Sequence, residues 1–153
     1  EFFTKLFEAY PQNAVGIKDS SGVADMLEAR CQAFPDKEVF AGTDSMTLPC
    51  LRAGASGAML DITNIVPDVT IGLHAGFEGE QGDAVQARVG EIRGAMGELP
   101  WFSALRATMA WLSGDSGWCK ARPAIRRLTA DEERAMRESL TAIGLTPARL
   151  AAE

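Results

Sequence analysis

Three short apolar runs, each followed by turn residues, constrain the fold of this 153-residue chain most strongly. The runs cover residues 14–18, 38–41 and 58–63, and their length and β-branched residues predict strands. Helical patterns occupy residues 23–34 and 46–53 between them. Strands that alternate with helices through short loops predict three β-α units and a parallel sheet covered by helices.

The chain beyond Pro67 shows helical patterns only. Its clearest apolar stripe recurs at i, i+4, i+7 and i+11, through Val85, Val89, Ile92 and Met96. Further helices are predicted over residues 101–112 and 130–143. Thr129 and Glu132 have the spacing of a capping box at the start of the last helix, and Gly144 is a candidate C-cap. This part of the chain is predicted to pack and to carry no chemistry of its own.

Composition excludes several classes of function. A net charge of −6, without any basic stripe, argues against a nucleic-acid partner. No apolar run reaches about 18 residues, so no membrane-spanning helix is predicted. Cys31, Cys50 and Cys119 form no C-x-x-C pair and indicate reduced thiols in a cytoplasmic protein. His74 is the single histidine, so no zinc or iron site is expected.

Lys18 is the residue with the most chemical potential, because it ends the first predicted strand. Val15 and Ile17 make its strand apolar, and Ser20-Ser21-Gly22 is a turn that opens onto a helical pattern. An amine whose stem lies against an apolar wall loses hydration, which favours the neutral form that can attack a ketone. The alternative is a structural ion pair between Lys18 and an acid such as Asp19.

Side-chain alternation along the strands predicts which residues share the face of Lys18. If Ile17 faces the helices, Lys18 and Ser20 face the opposite, inward side. The inward set of the other two strand ends is then Gly42, Asp44, Met59, Asp61 and Thr63, with Ala58, Leu60 and Ile62 outward. Gly42 would allow close approach of a ligand, and Asp44 is also a candidate N-cap for the helix that follows.

Four sequence pieces in this order resemble the dihydrodipicolinate synthase and N-acetylneuraminate lyase family. They are G-I-K-D-S-S-G from Gly16, G-T-D from Gly42, L-P-x-L-x-x-G-A-x-G from Leu48 and T-N-x-x-P from Thr63. The resemblance is strong over residues 13–68 and looser over residues 83–145. It implies a (β/α)8 barrel, which needs roughly 250 residues. This chain would therefore be the C-terminal part of such a barrel in residues 1–80, followed by a helical extension in residues 81–153.

The resemblance also implies an activity and a set of site residues. Family members bind pyruvate or another 2-oxo acid as a Schiff base on the lysine that matches Lys18, without metal or organic cofactor. The implied substrate-binding residues are Ser20, Gly42, Asp44 and Met59, and strand alternation adds Asp61 to this set. A homo-oligomer, a tetramer or a dimer, is implied as well.

Asp61 departs from the family pattern, in which a small polar residue is usual. An inward carboxylate there would repel an anionic co-substrate and accept hydrogen bonds from hydroxyl groups, which favours a sugar-acid-like substrate. Dihydrodipicolinate synthase activity is the alternative within the same chemistry. A member that binds a 2-oxo acid without catalysis, and an unrelated doubly wound α/β domain, are the alternatives of other classes.

Overall fold

The structure is a computed structural model that describes residues 1–147. Its three strands within that range are β1 (Gly16–Asp19), β2 (Glu38–Ala41) and β3 (Gly57–Ala58). They form one parallel sheet in the order β1-β2-β3. The predicted parallel sheet of three β-α units is confirmed.

Seven α-helices and three short 3-10 helices make up the remaining regular structure of residues 1–147. The α-helices are α1 (Phe2–Ala9), α2 (Ala24–Ala33), α3 (Thr47–Arg52), α4 (Pro67–Gly76), α5 (Glu80–Ala95), α6 (Trp101–Ser113) and α7 (Ala130–Ala142). The 3-10 helices are Asp44–Met46, Ile62–Asn64 and Ser116–Cys119. Within the described residues no strand follows β3, as the helical patterns predict.

The third strand is present, but it is shorter than its predicted range of residues 58–63. β3 ends at Ala58, and the chain turns at Asp61 into a 3-10 helix. The physical reason is local: the Asp61 carbonyl accepts the backbone N–H of Asn64 at 3.2 Å and its side-chain amide at 2.9 Å. These bonds close a turn that strand alternation cannot anticipate, so the inward positions of Asp61 and Thr63 do not follow from a strand.

The first strand is displaced from its prediction by two residues at its start. It begins at Gly16 instead of residue 14, and Val15 is 60% exposed. Gly16 lies against the second strand: a β-carbon there would meet the Glu38 carbonyl oxygen at 2.4 Å. The sheet therefore begins where a glycine allows β1 and β2 to approach each other closely.

The chain folds into two compact units. The first consists of Glu1–Leu60 together with Ile71–Gln86 and contains the whole sheet. Its core has one apolar cluster between α2, β2 and α3, formed by Leu27, Val39, Ala41 and Cys50, and another formed by Leu48, Leu51 and Leu73.

The second unit consists of Asp61–Thr70 and, within the described residues, of residues 87–147. Its fully buried side chains include Val89, Ile92, Met96, Met136 and Leu140, so the predicted stripe on α5 is buried from Val89 to Met96. The capping box of Thr129 and Glu132 is confirmed in both directions. Gly144 has φ +78°, as a residue just beyond a helix C-terminus requires.

The helices of residues 1–147 include none that combines the length and the apolar character needed to span a membrane.

Candidate active site

The burial of β1 alternates and separates Lys18 from its neighbours. Ile17 and Asp19 are 6% and 4% exposed, whereas Lys18 is exposed. The carboxylate of Asp19 bonds with Arg30 of α2, so the buried face of β1 is the helix-covered one. Lys18 therefore lies on the opposite face, as the alternation predicts.

Gly42 is in direct contact with the side chains of Lys18 and Ser20. A β-carbon at position 42 would lie 2.2 Å from Ser20 Oγ and 2.7 Å from Lys18 Cε. It would also lie 2.8 Å from the Asp19 carbonyl oxygen, which accepts the Gly42 N–H. Only a residue without a side chain fits here, and the fit brings three of the predicted site residues together.

Met59 follows the third strand in the same ladder. Its N–H donates to the Ala41 carbonyl at 2.8 Å, just as the Gly42 N–H donates to the Asp19 carbonyl at 2.7 Å. Lys18, Gly42 and Met59 thus stand at the carboxyl ends of three adjacent parallel strands. The Met59 side chain is 49% exposed.

The structural alternative for Lys18, an ion pair with Asp19, is not formed. The Asp19 carboxylate accepts the Ser21 N–H at 2.7 Å and pairs with Arg30 Nη1. Among the residues that the structure describes, none forms a hydrogen bond or an ion pair with the Lys18 amine. The amine is thus available for a reacting carbonyl group.

Asp44 does not cap the helix after its strand, so that prediction is wrong. A 3-10 helix precedes α3, and Asp44 is the first residue of it, with Thr43 at the capping position. The inserted turn moves the start of α3 to Thr47 and draws Asp44 into the interior, where it is 7% exposed. Its role in substrate binding stays a prediction.

Gln86 holds this turn from a distant part of the first unit. Its side chain accepts the Leu48 N–H at 2.9 Å and donates to the Asp44 carbonyl at 3.0 Å. A partner 42 residues away leaves no periodic signal near Asp44, and sequence analysis missed it.

Asp61 belongs to the second unit, and its carboxylate has a structural partner. The Trp101 indole N–H donates to Asp61 Oδ2 at 3.0 Å, and the Arg93 guanidinium lies 3.6 Å above the Trp101 ring. Neither aromatic nor basic partner was predicted. The one sequence signal for this contact was the position of Trp101, which directly follows Pro100 and opens helix α6.

The thiols of the first unit, buried Cys50 and partly buried Cys31, are poor nucleophiles. Burial raises the pKa of Cys50 to about 11, with a smaller contribution from the nearby Cys31. Burial also raises the pKa of Cys31. Because the thiolate is the reactive form, Lys18 remains the nucleophile of interest in this unit. Within residues 1–147, no group of three or more histidine, cysteine, aspartate or glutamate side chains lies close enough together to bind a metal ion.

Comparison with known proteins places these features in a family. The dihydrodipicolinate synthetase family model matches residues 1–143. An uncharacterized DapA-like lyase of Halobacterium salinarum is 31% identical over 133 residues, which cover 85% of this chain and 43% of that protein.

Two solved structures have the same fold over this length. The N-acetylneuraminate lyase of Fusobacterium nucleatum complexed with pyruvate superposes with a TM-score of 0.78 at 22% identity, covering 92% of this chain and 47% of that one. The dihydrodipicolinate synthase of Agrobacterium tumefaciens gives a TM-score of 0.79 at 18% identity, covering 92% and 47%. This chain therefore spans about half the length of the relatives that it matches. Because the family model matches residues 1–143, the chain belongs to the dihydrodipicolinate synthetase family.

Proposed function

We propose that the intact protein is a Schiff-base lyase that acts on pyruvate or another 2-oxo acid, with Lys18 as the catalytic residue. The neutral Lys18 amine attacks the C2 carbonyl carbon, and the carbonyl oxygen leaves as water after taking two protons. The product is a protonated imine. In a 2-oxo acid that carries a hydroxyl group at C4, this hydroxyl gives its proton to water, the C3–C4 bond breaks and C4 leaves as an aldehyde; the electron pair of the bond passes to the imine, which becomes an enamine. Protonation at C3 and addition of water then return the 2-oxo acid and the free amine.

The observation that carries this proposal is the contact of Lys18 with Gly42. The side chain rests on a residue that has no β-carbon, so its stem is supported while its exposed amine has no ionic partner within residues 1–147. Ser20 supplies a hydroxyl group on the same face as Lys18. The missing side chain of Gly42 leaves space beside the Lys18 amine, which a planar ketone needs in order to approach it. Met59 is proposed to contribute its backbone beside the bound 2-oxo acid.

The proposed substrate carries hydroxyl groups beyond its 2-oxo acid end, as in a sugar acid. Asp44 supports this preference, because a carboxylate accepts hydrogen bonds from hydroxyls and disfavours a second anion. The same role for Asp61 is proposed from its sequence position alone. Dihydrodipicolinate (4-hydroxy-tetrahydrodipicolinate) synthase activity remains the alternative lyase reaction, and several of the relatives are named 4-hydroxy-tetrahydrodipicolinate synthase. Binding of a 2-oxo acid without catalysis is the alternative of another class.

We also propose that residues 1–80 form the last three strands of a (β/α)8 barrel and residues 81–153 a helical extension, of which residues 148–153 lie outside the described range. The parallel order of the three strands and the helical remainder support this placement. A homo-oligomer is proposed too, as the family resemblance implies. Cysteines without disulfide partners favour the cytoplasm.

Reduction with borohydride in the presence of pyruvate tests the central proposal. The intact protein should gain the mass of the reduced adduct on Lys18, and Lys18→Ala should gain none. Lys18→Arg is the matched control, because it keeps the charge and the stem but cannot form the imine. An intact wild-type protein that traps neither pyruvate nor any other 2-oxo acid contradicts the proposal. Trapping without turnover of any aldehyde favours the non-catalytic alternative.

A further inference from the structure

The Asp19–Arg30 ion pair lies directly behind the proposed catalytic lysine. Asp19 follows Lys18 in β1, and its side chain is 2% exposed, whereas that of Arg30 is 21% exposed. Arg30 belongs to α2, and its guanidinium also lies over the Phe3 ring of α1, 5.4 Å from the centroid. The pair therefore joins the strand end to the two neighbouring helices.

Asp19 is held at three separate oxygen atoms. Its carbonyl accepts the Gly42 N–H, its Oδ1 accepts the Ser21 N–H, and its Oδ2 accepts from Arg30. The first bond fixes β1 against β2, the second fixes the turn after β1, and the third fixes both to α2. Few combinations of backbone and side-chain torsion angles at Asp19 satisfy all three hydrogen bonds.

Stability alone is a weak explanation for an acid at this position. A buried ion pair gains little over a well-packed apolar pair, since removing both charges from water is costly. An apolar side chain at position 19 would also leave the Ser21 N–H without its acceptor. What the acid adds is a defined orientation of the backbone on both of its sides.

We propose that the Asp19–Arg30 pair is the positioning element of the site, which orients the Lys18 amine and the Ser20 hydroxyl together. Side chains alternate along β1, so anchoring Asp19 on the helix-covered face directs Lys18 and Ser20 to the other face. Both then pack against Gly42, where their close approach leaves no room for a β-carbon. A site held within about 0.5 Å of its productive geometry needs such support from behind.

This inference rests on the proposed Schiff-base function, and its test separates the two. Asp19→Asn keeps an acceptor for Ser21 but replaces the charge, and Arg30→Gln removes the cation. We expect each to slow borohydride trapping of pyruvate by about tenfold or more and to lower kcat with little change in KM. Arg30→Lys should recover most of the rate, because it restores the cation.

Leu51→Ala is the matched control, since Leu51 is 3% exposed in the other core cluster of the same unit. It should lower the stability while leaving the trapping rate unchanged at a temperature where the protein is folded. Trapping at the wild-type rate in both Asp19→Asn and Arg30→Gln would overturn the positioning role. Absence of an adduct in the wild type would overturn the Schiff-base function itself. If Asp19→Asn does not fold, the trapping rates of Arg30→Gln and Arg30→Lys decide whether the ion pair positions the site.

Discussion

The Lys18 side chain passes over Gly42 so closely that a β-carbon at position 42 would lie 2.7 Å from Lys18 Cε. The Gly42→Ala variant must therefore displace Lys18, Ser20 or the strand itself. We expect it to lose about 1–3 kcal/mol in the free energy of unfolding, as overpacked sites do, and to trap pyruvate at least about tenfold more slowly. Urea unfolding and the rate of borohydride trapping measure the two effects.

Gly90→Ala is the control for this variant. Gly90 lies within α5, and a β-carbon there meets nothing within 4 Å. Alanine favours a helix interior over glycine by about 0.5–1 kcal/mol, so Gly90→Ala should stabilise the protein and leave the trapping rate unchanged. Equal trapping by the wild type and Gly42→Ala would show that the contact has no part in the reaction.

A second prediction concerns the Gln86 clamp. Gln86→Leu leaves the Leu48 N–H and the Asp44 carbonyl without their side-chain partner. The Asp44 carbonyl keeps the Thr47 N–H as a donor, so the Leu48 N–H is the group left without its acceptor. An unsatisfied group of this kind costs about 1–3 kcal/mol, so the variant should lose about 1–3 kcal/mol in the free energy of unfolding. Urea unfolding of the intact protein measures it. Gln32→Leu is the comparison, because Gln32 is exposed on α2 and bonds only with Glu28; it should change the stability by about 0.5 kcal/mol or less.

The features that sequence analysis predicted are those whose cause is local. Strand alternation placed Lys18 opposite Ile17 correctly because both residues lie inside one regular strand. The parallel sheet followed from strands separated by helices, since short connections leave few other topologies. Thr129 and Glu132 were identified because a capping box is a pattern within four residues.

The features that it missed depend on partners far away in the chain. Asp44 was expected to be a cap, but Gln86 stabilises a 3-10 turn in its place. Asp61 was expected at the end of a strand, but its carbonyl closes a turn and its carboxylate meets Trp101. The spacing in sequence relates neither Gln86 to Asp44 nor Trp101 to Asp61. These contacts form only through the tertiary fold, so they could not be predicted from the sequence.

The capping box of α7 gives a third prediction, on pH. The Arg126 guanidinium and the Thr129 N–H lower the pKa of Glu132 to about 2 from its usual value of 4.5. A carboxyl group with a lowered pKa in the folded state stabilises the protein fully above its usual pKa. That contribution disappears as the pH falls from about 4.5 through about 2. We therefore expect the difference in Tm between the wild type and Glu132→Gln to shrink over this range.

Thermal unfolding followed by circular dichroism between pH 2 and pH 7 measures the difference. Glu138→Gln is the control, because Glu138 is exposed on the same helix. It should give a Tm close to that of the wild type at each pH. A Tm difference for Glu132→Gln that stays constant down to pH 2 would contradict the role of the ionised Glu132.

The last prediction separates the charge of Asp61 from its hydrogen bond. Asp61→Asn keeps an oxygen that can accept the Trp101 indole N–H but removes the negative charge. If Asp61 faces the co-substrate, as we propose, the variant should favour aldehydes that carry a carboxylate over neutral polyhydroxy aldehydes. We expect the ratio of the two kcat/KM values to shift by about tenfold toward the anion. Trp101→Phe is the matched control: it removes the indole donor and keeps the charge, so it should keep the wild-type preference. A ratio that is the same in the wild type and Asp61→Asn would show that the carboxylate serves Trp101 alone and would withdraw its role in specificity.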